Sequence, residues 1–410
     1  MHDRARLFTA AFLRATGVGL TGVLIGLYLA EIGLGPGMMG VLVSLGLAGG
    51  ALGTLAVGLF ADRIGRRRML LLLAALAAAG GVGLASGASG FVLVLTCVVG
   101  MVNGMGRDRG AASTLDQAIL PATTDERRRT SVLSWYHLTV DAGHAVGSLA
   151  AAAPVLIRHL LGCDVITSYR LSFAGYAALS LLGLLVYAGL SSEVEVRGAV
   201  PRPSARARGV VARYAGLSLL DSLGGGFLTT ALVGYWFFRR FGAGEEILAP
   251  LFFGARVLNG ISYLLAARLA RRIGLLNTMV FTHLPSSLLL IAVPFAPTLP
   301  IAIALFLLRE FLVEMDVPTR QSYLLAVVAP EERTFAASMV ALTRNAAWAV
   351  APSVAGWAMR AMAISAGLFA GAGLKIIYDL ALLAAFRRLK PPEEATGKSG
   401  GAGRDRIVRS

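Results

Sequence analysis

The chain has 410 residues, of which 56% are hydrophobic and only 15% charged, with mean hydropathy +0.71 and a formal net charge of +15. So apolar a composition excludes an ordinary soluble domain, and the bases gather in breaks between apolar runs, which argues against nucleic acid as their partner. Two cysteines, Cys97 in an apolar run and Cys163 in a break, make no disulfide framework.

A bilayer core is crossed by about 20 apolar helical residues. In chain order, spans are predicted near 7–30, 38–61, 69–85, 91–120, 131–156, 168–190, 210–238, 246–267, 276–296, 299–328, 334–359 and 365–386. The breaks are rich in turn formers, as at Gly33-Leu34-Gly35-Pro36-Gly37 and Pro297-Thr298-Leu299-Pro300. Met1–Arg6 is short and basic without a cleavage signature, so the first run reads as a span rather than a signal peptide. With the N-terminus inside, the inner loops hold roughly four bases for every one at the outer ends. The expectation is a multi-pass monomer of the plasma (inner) membrane with both termini cytoplasmic, some of its cationic loops touching anionic lipid of the bilayer.

The segment 191–209, with Pro201 and Pro203 among arginines, is the one long polar break. It divides an all-α membrane protein of twelve transmembrane helices into two pseudo-symmetric six-helix bundles, 1–190 and 210–388. A tail over 389–410, rich in Pro, Gly, Ser and charge, is expected to be cytoplasmic and disordered. The halves echo each other: Arg271-Arg272-Ile273-Gly274 repeats the Arg63-Ile64-Gly65 of the first half without its acid, and Asp108 to Arg127 parallels Asp316 to Arg333.

Between the second and third spans the chain reads Gly58-Leu59-Phe60-Ala61-Asp62-Arg63-Ile64-Gly65-Arg66-Arg67-Arg68. This G-x-x-x-D-R-x-G-R-R-R pattern resembles the loop between helices 2 and 3 of the major facilitator superfamily. With the two-half plan, the resemblance covers residues ~7–388 and implies that family's fold, with substrate bound near the midplane between the halves. It also implies an ionic latch built from Gly58, Asp62, Arg63, Gly65 and Arg66. Asp62 would face the N-terminus of the eleventh span, and Arg66 would hold Asp116 at the inner end of the fourth.

Ionisable groups inside spans cost several kcal/mol unless paired or wetted, so each is a functional candidate. In chain order they begin with Arg14 in the first span and Arg107, Asp108 and Arg109 in the fourth. Three consecutive charges on a continuous helix fan over more than half its circumference, so one arginine is expected to pair with Asp108 while another meets an anionic group. Exporters of the family carry an arginine four residues before a glycine such as Gly104, where this chain has Gly100. In the fifth span His137, Asp141 and His144 recur at helical spacing as a candidate proton relay, beside a Gly143-x-x-x-Gly147 packing motif that partly matches exporters.

In the second half, Asp221 is a candidate partner for Arg256 or a proton carrier, and Lys375 and Asp379 suit an i,i+4 pair. The tenth span is richest: Arg309, Glu310, Glu314, Asp316 and Arg320. The two readings are a self-neutralising structural network or a substrate and proton site on Glu310 or Glu314. No phosphate-cradling G-x-x-x-x-G-K-[ST] and no metal-spaced Cys/His cluster is present.

The reading is therefore a non-enzymatic secondary transporter without cofactor, with the proton as coupling ion. It would carry a small organic solute of anionic or zwitterionic character by alternating access. Export is favoured by the resemblance, with an uptake permease, a passive facilitator or a non-transporting sensor as alternatives.

Overall fold

The computed structural model describes residues 2–108, 110–124, 128–195, 205–315 and 333–386. The first half comprises α1 (His2–Glu31), α2 (Pro36–Ile64), α3 (Arg66–Ala85), α4 (Gly90–Val99), α5 (Ala111–Ile119), α6 (Arg129–Ala150), α7 (Ala153–Leu161) and α8 (Val165–Ala188). The second comprises α9 (Ala205–Gly226), α10 (Thr230–Phe241), α11 (Glu245–Ile273), α12 (Leu275–Ala292), α13 (Leu299–Val313), α14 (Arg333–Ala361) and α15 (Ala366–Phe386). Among the described residues nine stretches are long and apolar enough to cross a membrane, with α6–α7 and α9–α10 each making one. The other three expected spans are the interrupted α4–α5, α13, and α14. The expected continuation of the tenth span over 316–328, with Asp316 and Arg320, lies outside the described residues, as do Arg109 and the tail.

The internal echo in the sequence is also an echo in backbone geometry. Gly65 joins α2 to α3 at φ 105°, and Gly274 joins α11 to α12 at φ 86°. Both helix pairs turn through a single residue in a conformation that side-chain-bearing residues rarely adopt. These two turns mark one end of the molecule, here the hairpin end.

Apolar packing is unequal at the two ends. At the far end one core cluster draws on both halves: Leu24, Tyr28 and Met39 pack with Trp236, Leu248 and Ala355. At the hairpin end the clusters divide. One holds Leu7, Leu70, Tyr136 and Tyr187 from the first half only, and the other Tyr214, Met279, Tyr378 and Leu382 from the second only. Small residues permit the far-end contact: a Cβ on Gly40 would lie 2.2 Å from the Pro352 carbonyl oxygen, and one on Gly356 2.2 Å from that of Pro36. Nearby, the Ser353 N–H donates to Ser44 Oγ at 2.9 Å. The halves are thus joined at the far end, and among the described residues no apolar core is shared at the hairpin end.

Candidate functional site

The fourth span is where the structure departs most from expectation. Instead of one helix over 91–120, α4 ends at Val99 and α5 begins at Ala111. Between them Met101 and Gly106 take positive φ, 50° and 69°. The expectation that Arg107 and Asp108 fan around a continuous helix is therefore overturned: they sit on irregular backbone, which membrane proteins tolerate only where it is buried or lines a cavity. The sequence Gly100, Gly104, Gly106, Gly110 supplies the flexibility.

The freed backbone groups are satisfied from both halves. The second half has its own break between α9 and α10, and the two interruptions dock. The Ala231 N–H donates to the Gly104 carbonyl at 3.0 Å, and Thr230 Oγ1 to the Met105 carbonyl at 2.8 Å. Arg256 Nη2 donates to the Gly106 carbonyl at 3.2 Å. Within the first half, the Asp108 N–H donates to His144 Nε2 at 2.7 Å and Asn103 Nδ2 to the Arg107 carbonyl at 2.8 Å.

A cavity with two lobes lies against this crossing. The mainly apolar lobe, about 1000 Å³, is lined by first-half residues such as Ala51, Leu73 and Tyr176 together with Trp348. The polar lobe, about 780 Å³, is lined by five cations, Arg107, Arg256, Arg309, Arg344 and Lys375, and by the three carboxylates Asp221, Glu310 and Glu314. Met105, Arg107 and Trp348 touch both lobes.

Arg107 crosses between the halves. Its Nη2 lies 2.6 Å from Glu314 Oε1 and 3.9 Å from Glu310 Oε2. Tyr263 OH donates to Glu314 at 3.1 Å, Asn259 Nδ2 reaches Glu310 at 3.4 Å, and Arg309 contacts Glu310 directly. Glu310, Glu314 and Arg309, each 7% exposed, therefore meet around one first-half guanidinium. Arg256 does not pair with Asp221 as the sequence suggested. Its Nη2 also approaches Thr230 Oγ1 at 3.4 Å, its Nε has no partner, and Asp221 accepts instead from Lys375 Nζ at 2.9 Å. Lys375 and Asp379, expected as an intrahelical pair, face different partners: Asp379 lies 2.9 Å from His283 Nδ1.

Arg14 is the hub of the first half. Its guanidinium donates to Asp108 at 2.6 Å, to Asp116 at 2.8 Å, to Tyr136 OH at 3.2 Å and to Tyr187 OH. This replaces the expected Arg66–Asp116 pair. Asp116 is fully buried on the face of α5 turned toward α1, α6 and α8, whereas Arg66 lies at the hairpin and reaches back to Asp62 at 3.1 Å. The side chain of Asp62, expected to face the eleventh span, is 56% exposed and bound to Arg66. Glu195 of the central segment accepts the backbone N–H groups of Arg66 and Arg67 at 2.6 and 3.1 Å, capping α3. Gly58 and Arg63 are exposed, and Gly65 makes the turn. In the fifth span His144 is buried, Asp141 lies 3.7 Å from its Nδ1 with a side chain 43% exposed, and His137 faces outward.

Several contributors escaped the sequence reading. Tyr136, Tyr187, Tyr263, Asn259 and Thr230 are neutral, and only their neighbours give them a role. His283 had a readable signal, since it sits with Thr282, Ser286 and Ser287 in an apolar run. At the far end Glu245 accepts from Tyr169 OH at 2.8 Å and contacts Arg158, which ties α7 and α8 to α11.

Two helical halves, interrupted helices that dock where the halves meet and a charged cavity beside the crossing fit a multi-pass membrane transporter. The chain belongs to the Major Facilitator Superfamily, whose family model matches residues 7–309. An uncharacterized membrane protein of Saccharomyces cerevisiae is 23% identical over 391 residues, 87% of each chain. The fold is similar to that of the bacterial homologue of the human lysosomal transporter Spinster in an inward-facing, occupied conformation, with TM-score 0.74, 15% identity and 94% and 96% of the two chains covered. It is also similar to the nucleoside transporter NupG (TM-score 0.73, 14% identity, 93% and 99% covered). The xylose transporter XylE of E. coli in a partially occluded inward-open conformation gives 0.70, 16% identity, and 96% and 99% covered.

Proposed function

We propose that the protein is a proton-coupled transporter of a small organic solute with anionic or zwitterionic character, working by alternating access. The observation that carries this reading is the bridge from Arg107 in one half to Glu314 and Glu310 in the other, inside a lobe lined by more cations than carboxylates. An anionic solute group competes with Glu314 for Arg107. The displaced carboxylate, left in a poorly solvated cavity without its cation, is neutralised by taking up a proton. Solute and proton thus favour each other's binding, and the loss of the bridge frees the halves to rock.

Such positive linkage makes symport the natural direction, with uptake driven by an inward proton gradient. Export, the second reading, rests on family resemblance alone, within which Gly143–Gly147 partly matches the exporter motif. The distribution of bases supports placing the termini and the hairpin end in the cytoplasm, across the plasma (inner) membrane. The cavity would then be poised toward the cytoplasm.

The test is flux in proteoliposomes with and without a pH gradient, using labelled monocarboxylates, amino acids and sugar phosphates, with a lipophilic cation as control. Acid outside should drive accumulation of at least one anionic or zwitterionic probe, and Glu314→Gln should abolish driven flux while sparing exchange. Depletion under the same gradient would establish export, gradient-independent flux a passive facilitator, and preference for the lipophilic cation would remove the anionic reading.

A further inference from the structure

A second cluster of ionisable groups lines the polar lobe and takes no part in the Arg107 bridge. His283 on α12 is 1% exposed, and its Nδ1 lies 2.9 Å from each oxygen of Asp379 on α15. Its Nε2 is 3.2 Å from Nζ of Lys375, one turn away on α15, and that ammonium also donates to Asp221 on α9 at 2.9 Å. Asp221, His283 and Lys375 line the lobe, while Asp379 is fully buried behind them.

Donor and acceptor chemistry determines the protonation state of this row. An ammonium only donates and a carboxylate only accepts. Nδ1 must therefore carry the hydrogen that faces Asp379, and Nε2 must offer its lone pair to Lys375. His283 is neutral in this arrangement, and the four groups together carry two negative charges and one positive. One added proton brings these four groups to neutrality.

We propose that His283, Asp379, Lys375 and Asp221 form a proton-binding site distinct from Glu310 and Glu314, and that filling it turns Lys375 toward the cavity as a cation for an anionic solute. The proton adds to the Nε2 lone pair, and the ring becomes an imidazolium held by Asp379. The Nε2–H and the ammonium are then two donors facing each other, so the Lys375–His283 hydrogen bond is lost and Lys375 keeps only Asp221 on this side. The groups facing His283 are Asp379, Lys375 and, edge-on at 6.0 Å between ring centroids, Tyr378 from α15, with Asp221 of α9 at 3.8 Å. The other charged groups lining the lobe are Arg107, Arg256 of α11, Arg309 and Glu310 of α13, Glu314, and Arg344 of α14. The role given to Lys375 rests on the anionic-solute reading, whereas the proton site does not.

Nitrogen-15 NMR of the full-length protein, labelled at histidine and reconstituted in lipid, tests this directly. The chain has only five histidines, so loss of one signal set in His283→Gln, repeated in His283→Asn, assigns the residue. At alkaline pH the expected species is the Nδ1–H tautomer, and acidification should convert it to the doubly protonated ring. Lys375→Met should enlarge the doubly protonated fraction at every pH, and Asp379→Asn should shrink it. Glu310→Gln/Glu314→Gln should leave the titration in place, which separates this site from the Arg107 bridge. An Nε2–H tautomer, a ring neutral throughout the range, or a titration lost with Glu310 and Glu314 would overturn the proposal.

Discussion

Arg14 shows how a single residue acquires its meaning. Its position inside an apolar run marked it as costly from sequence, but the run says nothing about which way it points. In the structure it neutralises both Asp108 and Asp116 and holds two tyrosine hydroxyls. Arg14→Ala would strand a fully buried carboxylate, and a loss of about 3–5 kcal/mol is expected, read as a lower thermal midpoint in detergent. Arg14→Met/Asp108→Asn/Asp116→Asn should recover much of that loss, because the cost lies in the unpaired charges. Arg107 should behave differently: Arg107→Gln removes the link to Glu314 and should abolish driven flux at modest cost in stability, since Glu314 lines the cavity and can be neutralised there by a proton, whereas Asp116 lines neither lobe. Candidate status was legible for every one of these charged residues, because ionisable groups in hydrocarbon are few and expensive. Their pairings were not, because partners 90 or more positions apart meet only when helices rotate and pack.

The interrupted fourth span decides more at the scale of elements than any complete helix does. Its glycines and the apolar residues around it fit either a continuous helix or a broken one, and the docking of the α9–α10 break, with His144 and Asn103, supplies the partners that make the broken form stable. Gly106→Ala places a Cβ 2.7 Å from Thr230 Oγ1 at a backbone angle of φ +69°. Loss of transport is expected while the fold persists, which flux and thermal melting measured together would show. At the start of α1, Asp3 accepts from the Ser191 N–H at 3.1 Å and from its hydroxyl, and these bonds hold its carboxyl below the usual carboxylate range. A carboxyl depressed in the folded state stabilises above its unfolded value, and the gain disappears as pH falls through the folded value. Asp3→Asn should therefore flatten the acid limb of the melting profile below about pH 4 and lower stability near neutrality.

At the scale of the whole molecule, the unequal ends are the central fact. A shared apolar core, the Gly40–Gly356 crossing and the Arg158–Glu245–Tyr169 cluster join the halves at the far end, while among the described residues each half keeps its own core at the hairpin end. At the hairpin Arg66 binds Asp62, and the backbone of Arg66 and Arg67 binds Glu195 of the central segment. Glu245→Gln weakens the far-end closure, and so should Gly40→Ala. In either background a cysteine at Leu29, fully buried here, should be alkylated severalfold faster by a reagent added from the far side. Unchanged labelling would assign Glu245 to packing alone.

By itself the sequence determined the solvent, the two-half helical plan and the set of charged candidates. Those properties follow from local quantities: hydropathy over about 20 residues, base counts in loops and the cost of ionised groups in hydrocarbon. Only the tertiary structure decided that the fourth span breaks, that Asp116 belongs to Arg14 rather than Arg66, that Arg107 bridges the halves, and which end is closed. Each of those depends on long-range contacts whose partners the local pattern does not specify, and a transporter keeps more than one such set of contacts close in free energy.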